Sequence, residues 1–195
     1  MEENMEKMTR ARLEGVIGKI EDLRKAGRKT VCVAIDGRAA SGKTTLAAAL
    51  QNLYPAADVI HMDDFFLPPE LRTPERYAEP GGNVDYDRFR AEVSEKIGSA
   101  FAYRRFDCSR MAMGESVPVK GGGLVIVEGS YALNPKLGLK ADITVFSEID
   151  PETQLARIKK RNGEAKAAVF AAKWIPLEEA YFDALNVRTR CDLII

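Results

Sequence analysis

Apolar residues recur along this chain in two rhythms, and the alternation between them sets the order of its elements. Leu13, Val16, Ile17, Ile20 and Leu23 fall at helical spacing with Arg12, Glu14, Lys19 and Glu21 between them, which predicts an amphipathic helix that stops at Gly27. A continuous apolar run from Val31 then reads as a buried strand, and Leu46, Leu50 and Leu53 return to the helical period. Val59 and Ile60 end a second, short strand. Residues 67–84 carry Pro68, Pro69, Pro74, Pro80 and the pair Gly81-Gly82, so a long loop is expected there. Asp85 opens a helix with Phe89, Val93 and Ile97 on one face. FAYRRFDCS and ESVPVK then predict a hairpin around Met111 to Gly114. Leu124–Val127 and Ile143–Phe146 are further short strands. Asp150 as N-cap and Pro151 at the first helical position start a helix that stops at Asn162-Gly163. Helix resumes beyond it, is expected to break at Pro176, and should turn Leu177, Ala180, Tyr181, Ala184 and Leu185 to one side. Cys191 to Ile195 reads as the last strand of an α/β fold.

The junction of the first buried strand with its helix, VCVAIDGRAASGKTTL, carries the most specific chemistry. Gly37, Gly42, Lys43 and Thr44 satisfy G-x-x-x-x-G-K-[ST], the phosphate-binding P-loop. Glycines let backbone N–H groups curl around a polyphosphate, and the helix N-terminus adds partial positive charge at the same point. Gly37, Ala39, Ala40, Ser41, Gly42, Lys43, Thr44 and Thr45 are therefore expected to bind nucleotide, with Lys43 on the β/γ-phosphates and the Thr44 hydroxyl on Mg²⁺. Ligands of parallel sheets collect beyond the carboxyl ends of the strands, which puts Asp63 and Asp64 on the same rim. An acidic pair beside a polyphosphate suits handling of Mg²⁺ or of a substrate hydroxyl proton, as phosphoryl transfer to an alcohol requires. His61 is read as a strand end. Glu128, at the close of the Leu124–Val127 run, is the candidate to hold or orient Mg²⁺. Arg157 and Arg161 lie four apart on one helical face, where two guanidiniums can clamp a transferring phosphoryl group.

Bulk numbers narrow the partners. The chain has 195 residues, with Lys plus Arg and Asp plus Glu both at 29, so no global field favours nucleic acid or an anionic membrane. A single domain over residues 1–195 is expected, with an N-terminal helix in 1–27, a substrate-binding insertion over 67–120 and a lid over 157–175. The polar, mixed-charge start MEENMEKMTR resembles neither a signal peptide nor a membrane span, so a soluble, cytoplasmic protein is expected. Cys32, Cys108 and Cys191 are an odd number without C-x-x-C spacing and read as buried, reduced thiols.

In order along the chain, IDGRAASGKTTL, HMDDFF, NVDYDRF, LVIVEGSYAL, LARIKKRNG and CDLII make it resemble the uridine kinase and phosphoribulokinase branch of the P-loop kinases. That resemblance implies a five-stranded parallel sheet of order 2-3-1-4-5 flanked by helices, with a small lid. It implies that Asp63 is the general base on a substrate hydroxyl, that Asp85 holds ribose hydroxyls and that Tyr103 contacts the substrate. Arg157 and Arg161 match the lid arginines. Arg105 and Cys108 stand where uridine kinases carry an aromatic residue and a histidine that read the pyrimidine. The implied activity is ATP- and Mg²⁺-dependent phosphorylation of a primary hydroxyl on a small metabolite, foremost a nucleoside, with the oligomeric state left open. Pantothenate or a sugar (phosphate) as acceptor, and a non-catalytic nucleotide-binding protein, are the alternatives. N-K-x-D and L-S-G-G-Q are both absent from the sequence, which argues against a GTPase switch or a transport ATPase.

Overall fold

The computed structural model describes residues 2–195; Met1, at the head of the expected segment 1–27, lies outside the described residues, as do the side chains of residues 2–10 and of Arg12. Helix α1 spans Glu2–Lys25 and β1 spans Thr30–Gly37, with Gly27 between them at φ 87° as the helix stop. After β1 come α2 (Lys43–Leu53), β2 (Asp58–His61), α3 (Pro74–Ala78), α4 (Tyr86–Phe89), β3 (Phe101–Asp107), β4 (Ala112–Val119) and β5 (Gly123–Glu128). The chain closes with β6 (Ile143–Ser147), α5 (Pro151–Asn162), α6 (Glu164–Val169), α7 (Ile175–Ala184) and β7 (Leu193–Ile194). The main sheet is parallel and runs β2-β5-β1-β6-β7. Counted within that sheet alone, this is the order 2-3-1-4-5.

Both faces of the sheet are covered, which is why its central strands are apolar throughout. Val31, Val33 and Ile35 of β1, Leu124 and Ile126 of β5, and Ile143 and Val145 of β6 face Val16 and Ile20 of α1 and Leu46 and Leu50 of α2. The alternate residues Val125, Val127 and Phe146 face Phe65, Tyr131, Tyr181 and Phe182 in a second core. Helix α1 thus covers the sheet, as its spacing predicts.

Four local expectations are corrected. The stretch 67–84 is not continuous loop: Thr73 caps α3, and an antiparallel bridge Phe66↔Val84 ties the two ends together. The hairpin turns over residues 108–111, three residues earlier than expected: Met111 takes the left-handed φ of 52° and β4 has begun by Ala112. Pro176 does not break the last helix. A wide turn over Phe170–Trp174, in which Ile175 N donates to Phe170 O, carries the chain past the missing proline N–H. Of the three thiols only Cys32 is buried; Cys191 is half-buried and Cys108 exposed in the hairpin turn. Burial, reinforced by Asp142, pushes the Cys32 thiol up to about 12, so it stays protonated and inert. Among the described residues, no helix is long and apolar enough to cross a membrane.

Candidate active site

The P-loop takes its shape from contacts on both flanks. Gly37 has φ 131°, and a Cβ there would lie 2.2 Å from Ser147 O on β6, so no other residue fits. Asp36, fully buried at the end of β1, accepts from Gly37 N (2.7 Å), Tyr131 N (3.0 Å), Leu133 N (2.9 Å) and the Tyr181 hydroxyl (2.7 Å). Burial raises its pKa against the pull of those donors. Lys43 is 7% exposed and folds back so that Nζ donates to Gly37 O at 2.7 Å and Arg38 O at 2.8 Å. Its ammonium therefore already stands at the mouth of the loop.

Beyond the carboxyl ends of β1, β2 and β5 opens a cavity of about 610 Å³. Ala39, Ala40, Gly42, Lys43, Thr44 and Thr45 line one side, while Gly37 and Ser41 lie beneath the surface as supports. Opposite them, a tight turn over Met62–Phe65 splits the acidic pair. Met62, Asp64 and Phe65 are buried, and Asp63 is left open to the cavity. Withdrawal from bulk water, then the nearby charge of Glu128, raises the Asp63 pKa, with Lys43 and His61 opposing.

Glu128, 4% exposed at the end of β5, joins the two sides. It accepts from Thr44 Oγ1 at 3.2 and 3.3 Å, and its Oε1 lies 2.6 Å from His61 Nδ1. That hydrogen bond outweighs partial burial and raises the His61 pKa. The next residue must be glycine: Gly129 has φ 136°, and a Cβ would meet Met62 Cβ at 2.7 Å. A hydroxyl and one carboxylate side by side suit Mg²⁺, which is held by one or two carboxylates together with substrate phosphates rather than by a protein cage. No cluster of three or more His, Cys, Asp or Glu able to hold a metal occurs among the described residues.

Arg157 and Arg161 both reach the cavity from α5; Arg157 Nη1 donates to Ala40 O at 3.1 Å, and Arg161 Nε to Asn162 Oδ1 at 2.8 Å. Three other expected substrate residues stand outside the lining. Asp85 caps α4, accepting from Arg88 N at 3.1 Å and pairing with Arg88 Nε at 3.4 Å. Tyr103 is 1% exposed, stacked near Phe65, and donates to Asp64 Oδ2 at 2.8 Å. Arg105 Nε lies 3.0 Å from Asp64 Oδ1. These contacts fix the wall behind Asp63 through Asp64. The segment 67–120 instead presents Arg72, Tyr77, Asn83, Cys108 and Met111 to the cavity, beside Phe66 just before it.

Sequence reasoning missed Asp36, Asn83 and Glu178. Glu178 is 5% exposed on α7, yet it lines the cavity. A signal for it existed: an acid three and four residues before Tyr181 and Phe182 sits on the apolar face of its helix.

No family model matches the chain. It is 41% identical over 75 residues to nicotinamide riboside kinase 1 of Homo sapiens and 33% identical over 109 residues to that of Rattus norvegicus. Those stretches are 38% and 55% of this chain but only 35% and 54% of the relatives. In structure it is similar to a candidate fructose transport system kinase from Silicibacter sp. TM1040, with TM-score 0.72 and 22% identity over 96% of this chain and 98% of the other. It is also similar to a possible uridine kinase from Bacillus stearothermophilus, with TM-score 0.66 and 17% identity over 93% and 99% of the two chains. The parallel sheet flanked by helices is the fold of the uridine kinase-like P-loop kinases, and the resemblance drawn from the motifs holds.

Proposed function

We propose that this chain, built on the P-loop kinase fold, transfers the γ-phosphoryl group of ATP to the primary hydroxyl of a nucleoside. The observation that carries the reading is the opening of Asp63 onto the same cavity as Lys43 and the Thr44–Glu128 pair. The transfer forms a bond from the acceptor oxygen to the γ-phosphorus and breaks the bond from that phosphorus to the bridging oxygen, with ADP leaving. The acceptor proton passes to the Asp63 carboxylate. Lys43 exchanges Gly37 O and Arg38 O for the β/γ-phosphate oxygens, while Arg157 and Arg161 offset negative charge from the lid side. Thr44 and Glu128 would hold Mg²⁺, which neutralises phosphate charge when bound.

The nucleoside class is supported by the flat apolar side chains of Phe66, Tyr77 and Trp174 along the cavity, which suit a planar ring, and by the likeness to nicotinamide riboside kinase 1. Arg72 on the same wall gives a second reading some weight, because a guanidinium suits an acidic acceptor such as pantothenate or a sugar phosphate.

ADP release measured with nicotinamide riboside, uridine, cytidine, other nucleosides, pantothenate and phosphorylated sugars separates the two. Turnover with a nucleoside and mass-spectrometric detection of its 5′-phosphate is the expected result. Turnover with acidic acceptors alone would move the acceptor class, and ATP binding without transfer to any of them would overturn the kinase reading.

A further inference from the structure

The transfer outlined above gives Glu178 no part, although it is a buried acid at the reaction cavity. Its Oε2 accepts from Ala39 N at 3.0 Å and its Oε1 from Ser130 Oγ at 2.7 Å. Both donors are neutral. Glutamine would meet the same two groups at a smaller desolvation cost, so the carboxylate needs a reason. Burial raises its pKa, and Lys43 is the strongest influence holding it down.

The reason lies in the loop it touches. Ala40 adopts φ 60°, a left-handed conformation that disfavours any residue with a Cβ and persists only where the surroundings impose it. Three consecutive loop residues are gripped from outside. Arg38 pairs with Glu179 through Nε at 2.5 Å and Nη2 at 2.9 Å, Ala39 N is bound by Glu178, and Ala40 O by Arg157. Ala39 and Ala40 also pack with Ile158 and Ala167 and with Phe170 and Ile175. Through Ser130 the same carboxylate reaches the segment that follows Glu128 and Gly129.

Resting on the P-loop reading of the cavity, we infer that Glu178 is a positioning residue for the nucleotide: it fixes the Ala39 amide, and with it the outer half of the P-loop, in the shape that receives the polyphosphate. Its negative charge strengthens both hydrogen bonds and balances Lys43 until phosphate arrives.

Calorimetric titration of the whole chain with ATP and Mg²⁺, without any acceptor, tests this in Glu178→Ala and Glu178→Gln. Loss of a charge-assisted hydrogen bond that orders the loop predicts about tenfold weaker ATP binding in Glu178→Ala. Glu178→Gln, which can still accept from Ala39 N but lacks the charge that strengthens both bonds, should bind ATP about threefold more weakly than the parent, between it and the alanine variant. Unchanged ATP affinity in a folded Glu178→Ala variant would overturn the inference, as would a Glu178→Gln variant as weak as the alanine. Should the alanine variant fail to fold, Ser130→Ala removes the other donor, and weaker ATP binding is expected there too; unchanged binding counts against the role. A purely structural role would lower Tm and leave the dissociation constant in place. Because no acceptor enters the titration, a failed acceptor screen and a failed Glu178 test are separate results.

Discussion

Asp63→Asn is expected to lower kcat by about 10²-fold or more while ATP affinity stays near that of the parent, because general-base catalysis contributes roughly that much and the amide cannot take the proton. Asparagine keeps the size of the side chain, so the Met62–Phe65 turn and the contacts of Asp64 should survive. The raised pKa of Asp63 adds a pH signature. The base must be ionised, so kcat/KM rises with pH through an apparent pKa above the ordinary carboxylate value of about 3.9. Stability carries the opposite sign. A carboxyl whose folded pKa lies above its unfolded one favours the fold below the unfolded value and loses that contribution as pH rises through the folded value. At neutral pH, then, ionised Asp63 opposes folding, and Asp63→Asn should melt at or above the parent temperature. Near-normal turnover, or an acidic limb that persists unchanged in the variant, contradicts the assignment.

Lys43→Met is expected to reduce kcat/KM by about 10²–10³-fold, the range seen when one preorganised group at developing charge is removed. Methionine preserves most of the apolar stem of a side chain that is 7% exposed, so the P-loop should keep its fold. The carbonyls of Gly37 and Arg38 then lose their common donor, but the Asp36 network and the Gly37 approach to Ser147 remain. Steady-state rates beside a melting curve separate the two effects. Activity within about tenfold of the parent, in a variant of normal Tm, would remove Lys43 from the transition state.

What could be read from the sequence is what local pattern dictates. G-x-x-x-x-G-K-[ST] between an apolar run and a helical period fixes strand, loop and helix together, and Glu128-Gly129 ends β5 as read. Asp150-Pro151 likewise starts α5 as read. The features that escaped depend on phase or on distant partners. The resemblance carried by HMDDFF singled out Asp63, but the cause lies outside that motif: the tight turn decides which aspartate faces the cavity, and Tyr103 and Arg105 claim Asp64 from 39 and 41 residues away. On α7 Glu178, Tyr181 and Phe182 point inward. Of the residues expected on one side, Tyr181 is buried and Leu185 packs against the core, whereas Ala180 and Ala184 lie exposed, because the buried stripe is shifted toward Glu178 and Phe182. Tyr103, Asp85 and Arg105 came from resemblance to uridine kinases, and in this chain their side chains are spent on Asp64 and Arg88.

The proposed transfer requires that one cavity bring the polyphosphate on Lys43 and an alcohol on Asp63 into line. A crystal structure with a non-hydrolysable ATP analogue, Mg²⁺ and the best acceptor from the screen measures that directly. The acceptor hydroxyl oxygen is expected within about 3.2 Å of an Asp63 carboxylate oxygen and about 3–3.5 Å from the γ-phosphorus. An acceptor bound elsewhere, or one whose hydroxyl faces away from Asp63 with the lid closed, would contradict it.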